Sequence, residues 1–444
     1  MVLTGSRKAR IHLILINLIL SLVTGCVSPA TPLPPPSALP PTPVKERSVS
    51  LVMGSWRTDD VEQMNRILAK FHESHSNITI QYDPTIATEY DAALLAQLEA
   101  GTGPDLFYLR SYAISRSLYD KGYLLPLDSV PGLKENFSIQ MRAPWATDDG
   151  ISYGMPYIAT GHGIYYNQDL FNKLNIEVPG TWEDLMAAAE KIKAAGYIPF
   201  ANATGDSWTM AELVFMNVAP NFIGGYDGRM AYLSGNRCFN DAHIVAAFQG
   251  VKDLSKYFPD NQAALKYGDS QQLFLQGKAA MWLSGSWDIL FFESNKPAFA
   301  WNVFAPPPPK GQPPYFTFHL DAGMGVNASS QYKKEALEFM EWMTTQEFAS
   351  LLGNEFPGFF PMHSQMPPLT NAHAQSFLAL KEGRGTDVRF AWEKIRDGSP
   401  SAYDLIESAS VDIANGIRTP QQAADALQAG LAKWFIPAQN CQTK

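Results

Sequence analysis

Trp287 is a large aromatic residue placed where a ring could stack on a flat, apolar face of a ligand. It comes directly after the apolar run 279–283 and the Ser-Gly-Ser segment 284–286, and Gly277 stands before the run. A short apolar run between glycines is typical of a strand buried on both faces of a parallel sheet. In open α/β sheets, ligands lie beyond the carboxyl ends of the strands. We therefore predict Trp287 at the mouth of a binding cleft, with a core position as the alternative.

Further candidates share this placement at the end of a predicted strand or the start of a helix. Three carry aromatic rings that can stack on a ligand: Trp56, Tyr112 and Trp208. Two carry charged groups that can form paired hydrogen bonds: Arg110 and Asp321. Rings that stack on apolar faces and planar polar groups that form paired hydrogen bonds can together hold a ligand that has both kinds of surface.

Two successive strand–helix–strand patterns must position the first of these residues. Apolar runs at 49–53, 78–82 and 105–109 alternate with helical patterns over 61–71 and 89–100. Such βαβ units imply a parallel sheet with right-handed crossovers. The sequence therefore predicts an α/β protein whose strand-end loops carry the candidate residues.

Composition excludes several classes of protein. The chain has 444 residues, enough for two domains with sizeable cores. A net charge of −9, with no long basic run, argues against nucleic-acid binding. The three cysteines have no C-x-x-C spacing and the eight histidines are scattered, so we expect no metal and no cofactor.

The beginning of the chain has the pattern of an export signal. Residues 1–26 combine a basic start with the apolar run 11–23, which is too short for a convincing membrane span. The signal ends in Leu-Val-Thr-Gly-Cys26, which resembles a bacterial lipobox, and we predict lipidation of Cys26; an ordinary secretory signal is the alternative. The Pro-rich linker 27–46 is expected to be extended or disordered.

Motifs along residues 48–436 resemble, in the same order, those of the bacterial extracellular solute-binding protein family 1. These proteins are the carbohydrate-binding lipoproteins and periplasmic proteins of ABC importers, and maltose-binding proteins are among them. The motifs include F-x-x-G-K-A-A-M at 274–281, G-x-W at 285–287, G-M-P at 154–156, a Y-N-x-x-x-F strand end at 166–171 and G-F-F-P at 358–361.

The resemblance implies a two-lobe periplasmic-binding-protein fold of type II, with a hinge and a cleft between the lobes. The expected N-lobe is 47–158 plus 322–372, and the expected C-lobe is 159–321 plus 373–440. A ligand would stabilise the closed form, which the permease subunits of an ABC importer would recognise. The protein is expected to act as a monomer, outside the cytoplasm and tethered to the membrane through its lipid.

The resemblance also adds ligand-binding candidates. Thr160 aligns with a cleft carboxylate of the maltose-binding relatives, a departure that argues against maltodextrin. Tyr403 aligns with a stacking Trp of those relatives. Gly323 lies in the Gly-rich second crossing between the lobes, and Phe360 lies in a loop near the mouth of the cleft.

The expected function is to bind a sugar or oligosaccharide and deliver it to the permease, without catalysis. A polyol or glycerol phosphate is an alternative ligand, because Arg57 and Arg110 could bind an anion. A glycoside hydrolase would need two placed carboxylates, for which Asp59 and Asp321 are the candidates. Asp59 is otherwise interpreted as a helix cap together with Glu62. A purely structural lipoprotein is the third alternative.

Cys238 and Cys441 remain as an even pair once Cys26 is lipidated. In an exported protein such a pair favours a disulfide. Both residues fall in the expected C-lobe, so contact between them is feasible. Two unpaired thiols are the alternative.

Overall fold

The computed structural model describes residues 47–442. The predicted export signal 1–26, with its lipidation site Cys26, and the linker 27–46 lie outside this range. Within the described range, none of the helices has the length and apolar character needed to cross a membrane.

Ten strands of the described residues form one mixed sheet in the order β2-β1-β3-β8-β4-β6-β5, with β10 beside β8 and both β7 and β9 beside β4. The strands are β1 (Val49–Ser55), β2 (Ile78–Pro84), β3 (Leu106–Arg110), β4 (Met155–Asn167), β5 (Ile198–Phe200), β6 (Ala279–Gly285), β7 (Trp301–Phe304), β8 (Tyr315–Val326), β9 (Phe360–Pro361) and β10 (Gly385–Asp387).

Helices pack against the strands of this sheet and form most of the C-terminal part of the described chain. They are α1 (Val61–Ser74), α2 (Ala87–Glu99), α3 (Ala113–Asp120), α4 (Leu133–Asn136), α5 (Ile139–Arg142), α6 (Gln168–Lys173), α7 (Trp182–Ala194), α8 (Met216–Val218), α9 (Pro220–Ile223), α10 (Gly225–Leu233), α11 (Ala242–Ser255), α12 (Tyr267–Leu275), α13 (Ile289–Asn295), α14 (Lys333–Met343), α15 (Gln346–Glu355), α16 (Ala372–Ala379), α17 (Ala402–Ala414), α18 (Pro420–Leu431) and α19 (Ile436–Gln439). A π-helical segment, Met210–Phe215, leads directly into α8.

The first three strands confirm the predicted βαβ units. β1 pairs in parallel with β2 on one side and with β3 on the other. Helix α1 packs on them through Met64, Ile67, Leu68 and Phe71, whose spacing places all four side chains on one face of the helix. This arrangement brings the ends of β1 and β3, with Trp56 and Arg110, to the same edge of the sheet.

The cap predicted for α1 is wrong. The residue before the helix is Asp60, and its side chain makes no capping hydrogen bond. Its carboxylate instead binds the guanidinium of Arg57. A charge-assisted pair with arginine is stronger than a single bond to a backbone N–H, which explains the difference.

Two long antiparallel strands, β4 and β8, join the two lobes of the fold. All thirteen residues of β4 are buried. Its first part pairs with β8 and β9, while its second part pairs with β6 and β7. β8 pairs with β3 through 322–326 and with β10 through 315–317. The first lobe thus contains β1–β3 and the second lobe contains β5–β7. The lobe boundaries given above remain a prediction.

Strand β6 and its surroundings follow the predicted pattern, with one correction. Gly277 has φ of +67° after helix α12, as expected for a glycine that ends a helix. Every residue of β6 is buried. However, β6 is parallel only to β5 and is antiparallel to β4, so its sheet is mixed and not parallel. The local sequence shows burial on both faces, whereas the direction of the neighbouring strand depends on the chain path.

Cys238 and Cys441 form a disulfide, in agreement with the sequence prediction. Their Cα atoms lie 5.1 Å apart, although the two residues are 203 positions apart in the sequence. The bond connects the segment before α11 with the segment after α19. It holds the end of the described chain against the second lobe.

Candidate functional site

A polar patch lies where β4 and β8 pass between the lobes. Thr160 and His162 are two positions apart on β4, and His319 and Asp321 are two positions apart on β8. Residues spaced by two point to the same side of a strand, so these four side chains share one face of the strand pair. His319 Nε2 lies 3.2 Å from Thr160 Oγ1 and 3.1 Å from His162 Nε2. Thr160, His162 and His319 are almost fully buried. We call these four residues the crossing patch.

An arginine from the second lobe extends the crossing patch. Arg389 Nη2 lies 3.2 Å from Asp321 Oδ1, and Arg389 Nη1 donates to Glu212 Oε2 over the same distance. The ring N–H of Trp392 donates to Glu212 Oε1 at 2.9 Å, and the Arg389 guanidinium carbon stands 3.6 Å from the centre of the Trp392 ring. Two carboxylates and an aromatic face therefore fix the orientation of this guanidinium.

Burial and the arginine charge set the protonation of the patch. Burial, opposed by the charge of Glu212, lowers the pKa of His162 to about 4. Burial also lowers the pKa of His319 well below its usual value, and the charge of Arg389 acts in the same direction. For Asp321, burial raises the pKa even though Arg389 opposes it. Both histidines are thus neutral near pH 7, and each neutral ring offers one donor and one acceptor.

Trp287 stands beside the crossing patch in a half-buried position. Its ring meets the His162 ring edge to face, with centroids 5.4 Å apart, and its N–H donates to Tyr267 Oη at 2.9 Å. Tyr267 Oη in turn donates to Asp288 Oδ1 at 2.6 Å. Burial raises the pKa of Asp288 to about 6, although its hydrogen bonds oppose the shift. Trp208, also half-buried, lies 5.1 Å from the Tyr267 ring. The second lobe therefore supplies a row of aromatic rings.

The first lobe contributes a stacked pair. The guanidinium carbon of Arg110 lies 4.0 Å from the centre of the Trp56 ring. Trp56 is 7% exposed and meets Tyr90 and Tyr108 edge to face. The covered ring of Trp56 supports Arg110, and the charge of Arg110 is felt by Asp321 across the lobe junction.

A third aromatic group, formed by Trp392 and Tyr403, surrounds Arg396. The guanidinium carbon of Arg396 lies 3.7 Å from the centre of the Trp392 ring and 4.1 Å from that of Tyr403. Tyr112 lies near this group from the first lobe. Burial is the largest cause of its raised pKa, followed by the charge of Glu393. Tyr112 adopts φ of +61°, an uncommon backbone conformation for a residue with a side chain.

These contacts connect most of the predicted site residues to the lobe junction, namely Trp56, Arg110, Tyr112, Thr160, Trp208, Trp287, Asp321 and Tyr403. It does not bring Gly323 or Phe360 into this group. A Cβ on Gly323 would lie 2.7 Å from the Trp145 ring, so this glycine allows close packing inside the sheet. Phe360 is 2% exposed and packs beside Phe318.

Sequence reasoning missed several members of the site. His162 is one of the eight histidines that are scattered in the sequence, yet it is paired with His319 in the structure. Glu212, Arg389 and Arg396 are not among the residues predicted from the sequence. The last two lie in the run R-F-A-W-E-K-I-R, 389–396, where two arginines flank a tryptophan. That combination of cation and ring was the available signal.

The described part of the chain contains no group of three or more histidine, cysteine, aspartate or glutamate side chains arranged to hold a metal ion. The chemistry of this site is therefore built from aromatic faces, guanidinium groups, carboxylates and neutral imidazoles. Such a set can bind a ligand that has both apolar faces and many hydrogen-bonding groups.

Known proteins share this architecture. Residues 54–349 match the family model of bacterial extracellular solute-binding proteins. An uncharacterized ABC transporter extracellular-binding protein of Pyrococcus horikoshii is 26% identical over 287 residues, covering 61% of this chain and 64% of that protein. A multiple sugar-binding protein of Streptococcus mutans is 27% identical over 324 residues, covering 68% and 72%. The structure of a chitin oligosaccharide binding protein superimposes with a TM-score of 0.72 at 25% identity, covering 86% of this chain and 98% of that one.

Two lobes joined by crossing strands, with rings and polar groups at the junction, define a solute-binding protein of the two-lobe type. The chain belongs to the bacterial extracellular solute-binding protein family, since the family model matches well over half of its residues. This confirms the resemblance found in the sequence. The family binds substrates outside the cytoplasm and is not catalytic, which makes this chain an exported binding protein.

Proposed function

We propose that this protein binds a sugar or oligosaccharide at the lobe junction and delivers it to the permease of an ABC importer. The observation that carries the proposal is the set of half-buried rings near the crossing patch: Trp208 and Trp287, which both contact Tyr267, and Tyr403, which lies beside Trp392. Sugars present apolar C–H faces and hydroxyl rims, and this arrangement offers a partner for each. The sugar-binding names of the Streptococcus mutans relative and of the chitin oligosaccharide binding protein support it.

Within the site, aromatic rings would stack on the apolar faces of the sugar, and charged groups would bind its hydroxyls. Trp287 is held by its bond to Tyr267 and by contact with His162, so its ring is already oriented before a ligand arrives. Asp321 and Arg389 form a fixed ion pair whose remaining oxygens and N–H groups can serve neighbouring hydroxyls. A site that is ordered in advance loses less entropy when it binds.

Closure of the lobes would enclose the ligand. Ser286, at the end of β6, donates its hydroxyl hydrogen to the carbonyl of Gly358, which precedes β9. Its Oγ also accepts the N–H of Gly161 at 3.2 Å. Ser286 therefore ties the second lobe to the loop before β9 and to β4. With the predicted lobe boundaries, this contact joins the two lobes. We interpret it as part of the closed state that the permease would recognise.

The finer points of location and assembly are also proposed. Lipidation of Cys26 would tether the protein to the outer face of the cell membrane, and the linker 27–46 would hold the lobes away from it. A single chain carries both lobes and the whole candidate site, in agreement with action as a monomer. The partners would be the carbohydrate and the permease subunits.

A glycoside hydrolase fits the site less well. Of the suspected carboxylates, Asp59 is exposed and Asp321 is bound to Arg389. A hydrolase needs two carboxylates that face one glycosidic bond from opposite sides, one of them free to donate a proton. The pairing of Asp321 with arginine supports binding without catalysis.

The proposal is tested by identifying the ligand. Protein purified gently from its own cells is expected to carry a carbohydrate that native mass spectrometry detects as added mass. The same carbohydrate should bind with a measurable heat in calorimetry and should decrease the radius of gyration in solution scattering. If no carbohydrate copurifies and none in a broad panel binds, the proposed function is wrong.

A further inference from the structure

Arg396 is a half-buried arginine that forms no side-chain hydrogen bond with any described residue. Its guanidinium lies over the faces of Trp392 and Tyr403, and its Nη1 atom is buried without a partner. A guanidinium has five N–H donors, and removing them from water without a partner is costly. The two rings hold the cation in place but leave its donors unused.

Arg110 presents a second cation at the same junction. Its contacts are long, since Nε lies 3.4 Å from Asp91 Oδ1 and Nη2 lies 3.3 Å from the carbonyl of Ala87. Asp91 is 44% exposed, and exposed ion pairs of this kind contribute little. Like Arg396, Arg110 is positioned mainly by an aromatic face, that of Trp56.

Other arginines with little exposure to solvent have carboxylate partners. Arg57 binds Asp60, and Arg229 binds both Asp387 and Glu393. Arg389 is shared between Glu212 and Asp321, although its Nε atom is buried without a partner. The carboxylates of the junction are thus already engaged by other arginines. No described carboxylate forms an ion pair with Arg396, and only the exposed Asp91 does so with Arg110.

The backbone and side-chain contacts place Arg110 and Arg396 on the same side of the junction. Arg110 lies opposite Ala322, next to Asp321, and Asp321 binds Arg389. The guanidinium groups of Arg389 and Arg396 both lie over the Trp392 ring. Burial lowers the pKa of Arg396; the charges of Tyr403 and Glu212 oppose this, and the positive charges of Arg389 and Arg110 lower it further. In contrast, the carboxylate partners of Arg229 raise its pKa, although burial acts against them. A negative charge placed between Arg110 and Arg396 would relieve this repulsion and supply the missing acceptors.

We propose that the ligand of this protein carries an anionic group, either the carboxylate of a sugar acid or a phosphate ester, that binds between Arg110 and Arg396. This inference rests on the proposed function and narrows it from carbohydrates in general to acidic ones. Planar guanidinium groups match both carboxylate and phosphate oxygens with two parallel hydrogen bonds. The rings of Trp287 and Trp208 would then bind the apolar faces of the sugar to which the acid is attached.

A neutral ligand would differ from an anionic one in the salt dependence of its binding. Arginines held on aromatic faces can also donate to sugar hydroxyls, and such bonds are nearly independent of salt. Bonds to an anion weaken as salt screens the charges. The two cases therefore differ in the charge of the best ligand and in the salt dependence of its binding.

The test compares the affinities of acidic and neutral probes for the whole protein. The acidic probes are galacturonate, its disaccharide, glucose 6-phosphate and inorganic phosphate; the neutral ones are galactose, its disaccharide and glucose. Thermal unfolding and calorimetry should show that at least one acidic probe binds at least tenfold more tightly than its neutral partner. Preference for the galacturonates identifies a carboxylate, and preference for the phosphates identifies a phosphate ester.

Variants then locate the anion. Arg396→Gln is expected to weaken the acidic probe by roughly tenfold to a hundredfold and to leave the neutral probe nearly unchanged, because hydrogen bonds to charged groups are the stronger ones. Arg396→Lys keeps the charge and should retain part of the affinity. Arg418→Gln, which changes a surface arginine paired with Asp412, is the matched control and should change neither.

The outcomes separate this inference from the proposed function. Binding of neutral probes as tight as that of the acidic ones, or equal losses for both in Arg396→Gln, overturns the anionic ligand but leaves carbohydrate binding in place. Absence of binding by every acidic probe also overturns it. If neutral and acidic probes all fail and no carbohydrate copurifies, the proposed function is wrong as well.

Discussion

His162 and His319 face each other across the two strands that join the lobes, with their Nε2 atoms 3.1 Å apart. At that distance one nitrogen donates and the other accepts, so the contact requires at least one neutral ring. The pair lies beside Thr160, Asp321 and Trp287. The protonation of a buried imidazole therefore depends on contacts within the two strands that join the lobes.

The first prediction follows from the lowered pKa of both histidines. The unfolded chain binds protons at these rings near pH 6.5, whereas folded His162 does so near pH 4. The contribution of His162 to the free energy of unfolding is therefore fully present above pH 6.5 and falls as the pH drops towards 4, by about 1.4 kcal/mol per pH unit. The contribution of His319 falls in the same direction, because burial also lowers its pKa. Asp288 acts in the opposite direction, since its pKa is raised to about 6.

His319→Gln separates these contributions, because it leaves His162 and Asp288 in place. Urea unfolding at a series of pH values should give a shallower decrease below pH 6.5 for this variant than for the unchanged protein. His243→Gln, at the exposed start of α11, is the control and should follow the unchanged protein. Identical slopes in all three proteins would contradict the coupling.

Trp287→Ala should weaken carbohydrate binding by about 1–3 kcal/mol, as expected for an aromatic anchor in a binding site. The apo protein should keep nearly the same thermal stability, because the ring is only half-buried. Calorimetry and thermal unfolding measure the two quantities. Tyr197→Ala removes a half-buried ring that contacts Lys173 and serves as control. A large loss of apo stability with unchanged affinity would assign Trp287 to the core.

Gly358→Ala should hinder closure of the lobes. A Cβ at this position would lie 1.9 Å from the carbonyl oxygen of Ser286, and Gly358 has φ of +97°. The contact can be relieved only by moving the loop before β9 away from the end of β6. We expect weaker ligand binding and a smaller ligand-induced decrease in the radius of gyration.

Gly311→Ala is the matched control for this experiment. Gly311 has φ of +79°, but nothing lies within 4 Å of its added Cβ. Both variants therefore bear backbone strain of about 1–2 kcal/mol, and only one of them meets a neighbour. Equal effects of the two substitutions on ligand affinity would show that strain alone, and not the contact with Ser286, is responsible.

Replacing both Cys238 and Cys441 by Ser should decrease the free energy of unfolding, because the disulfide closes a loop of 203 residues. The chain-entropy model gives about 5 kcal/mol as the upper value for a loop of this length, and measured effects are usually smaller. Reduction of the unchanged protein should have the same effect as the double substitution. Ligand affinity should stay constant, since neither cysteine contacts the crossing patch. Unchanged stability after reduction would contradict this.

Cys26→Ser should release the protein from membranes. Each buried CH₂ of an acyl chain contributes about 0.8 kcal/mol to membrane binding, and the variant would carry no acyl chain on residue 26. Fractionation of cells that express both forms measures the difference. Retention of the variant in the membrane fraction would reject the lipid anchor.

The sequence alone predicts those strands, helices and helix ends that depend on neighbouring residues in the chain. Alternating strand and helix patterns predict the parallel arrangement of β1, β2 and β3, and a left-handed glycine predicts the end of α12. Aromatic residues at strand ends, such as Trp287, are predicted to bind ligand because strand ends and ligand sites coincide in α/β proteins, and this remains a prediction. The pairing of Cys238 with Cys441 followed from counting, once Cys26 was set apart.

Only the tertiary structure brought together the partners that are distant in the chain. His162 and His319 are 157 positions apart, and Glu212 and Arg389 are 177 apart. Neither pair has a local periodicity, because each depends on the register of β4 with β8 or on how the run 389–396 packs against the π-helical segment. The same holds for β6, whose antiparallel neighbour is set by the path of the chain between the lobes. Side-chain type predicted the kind of chemistry, while strand register and lobe packing decided which groups meet.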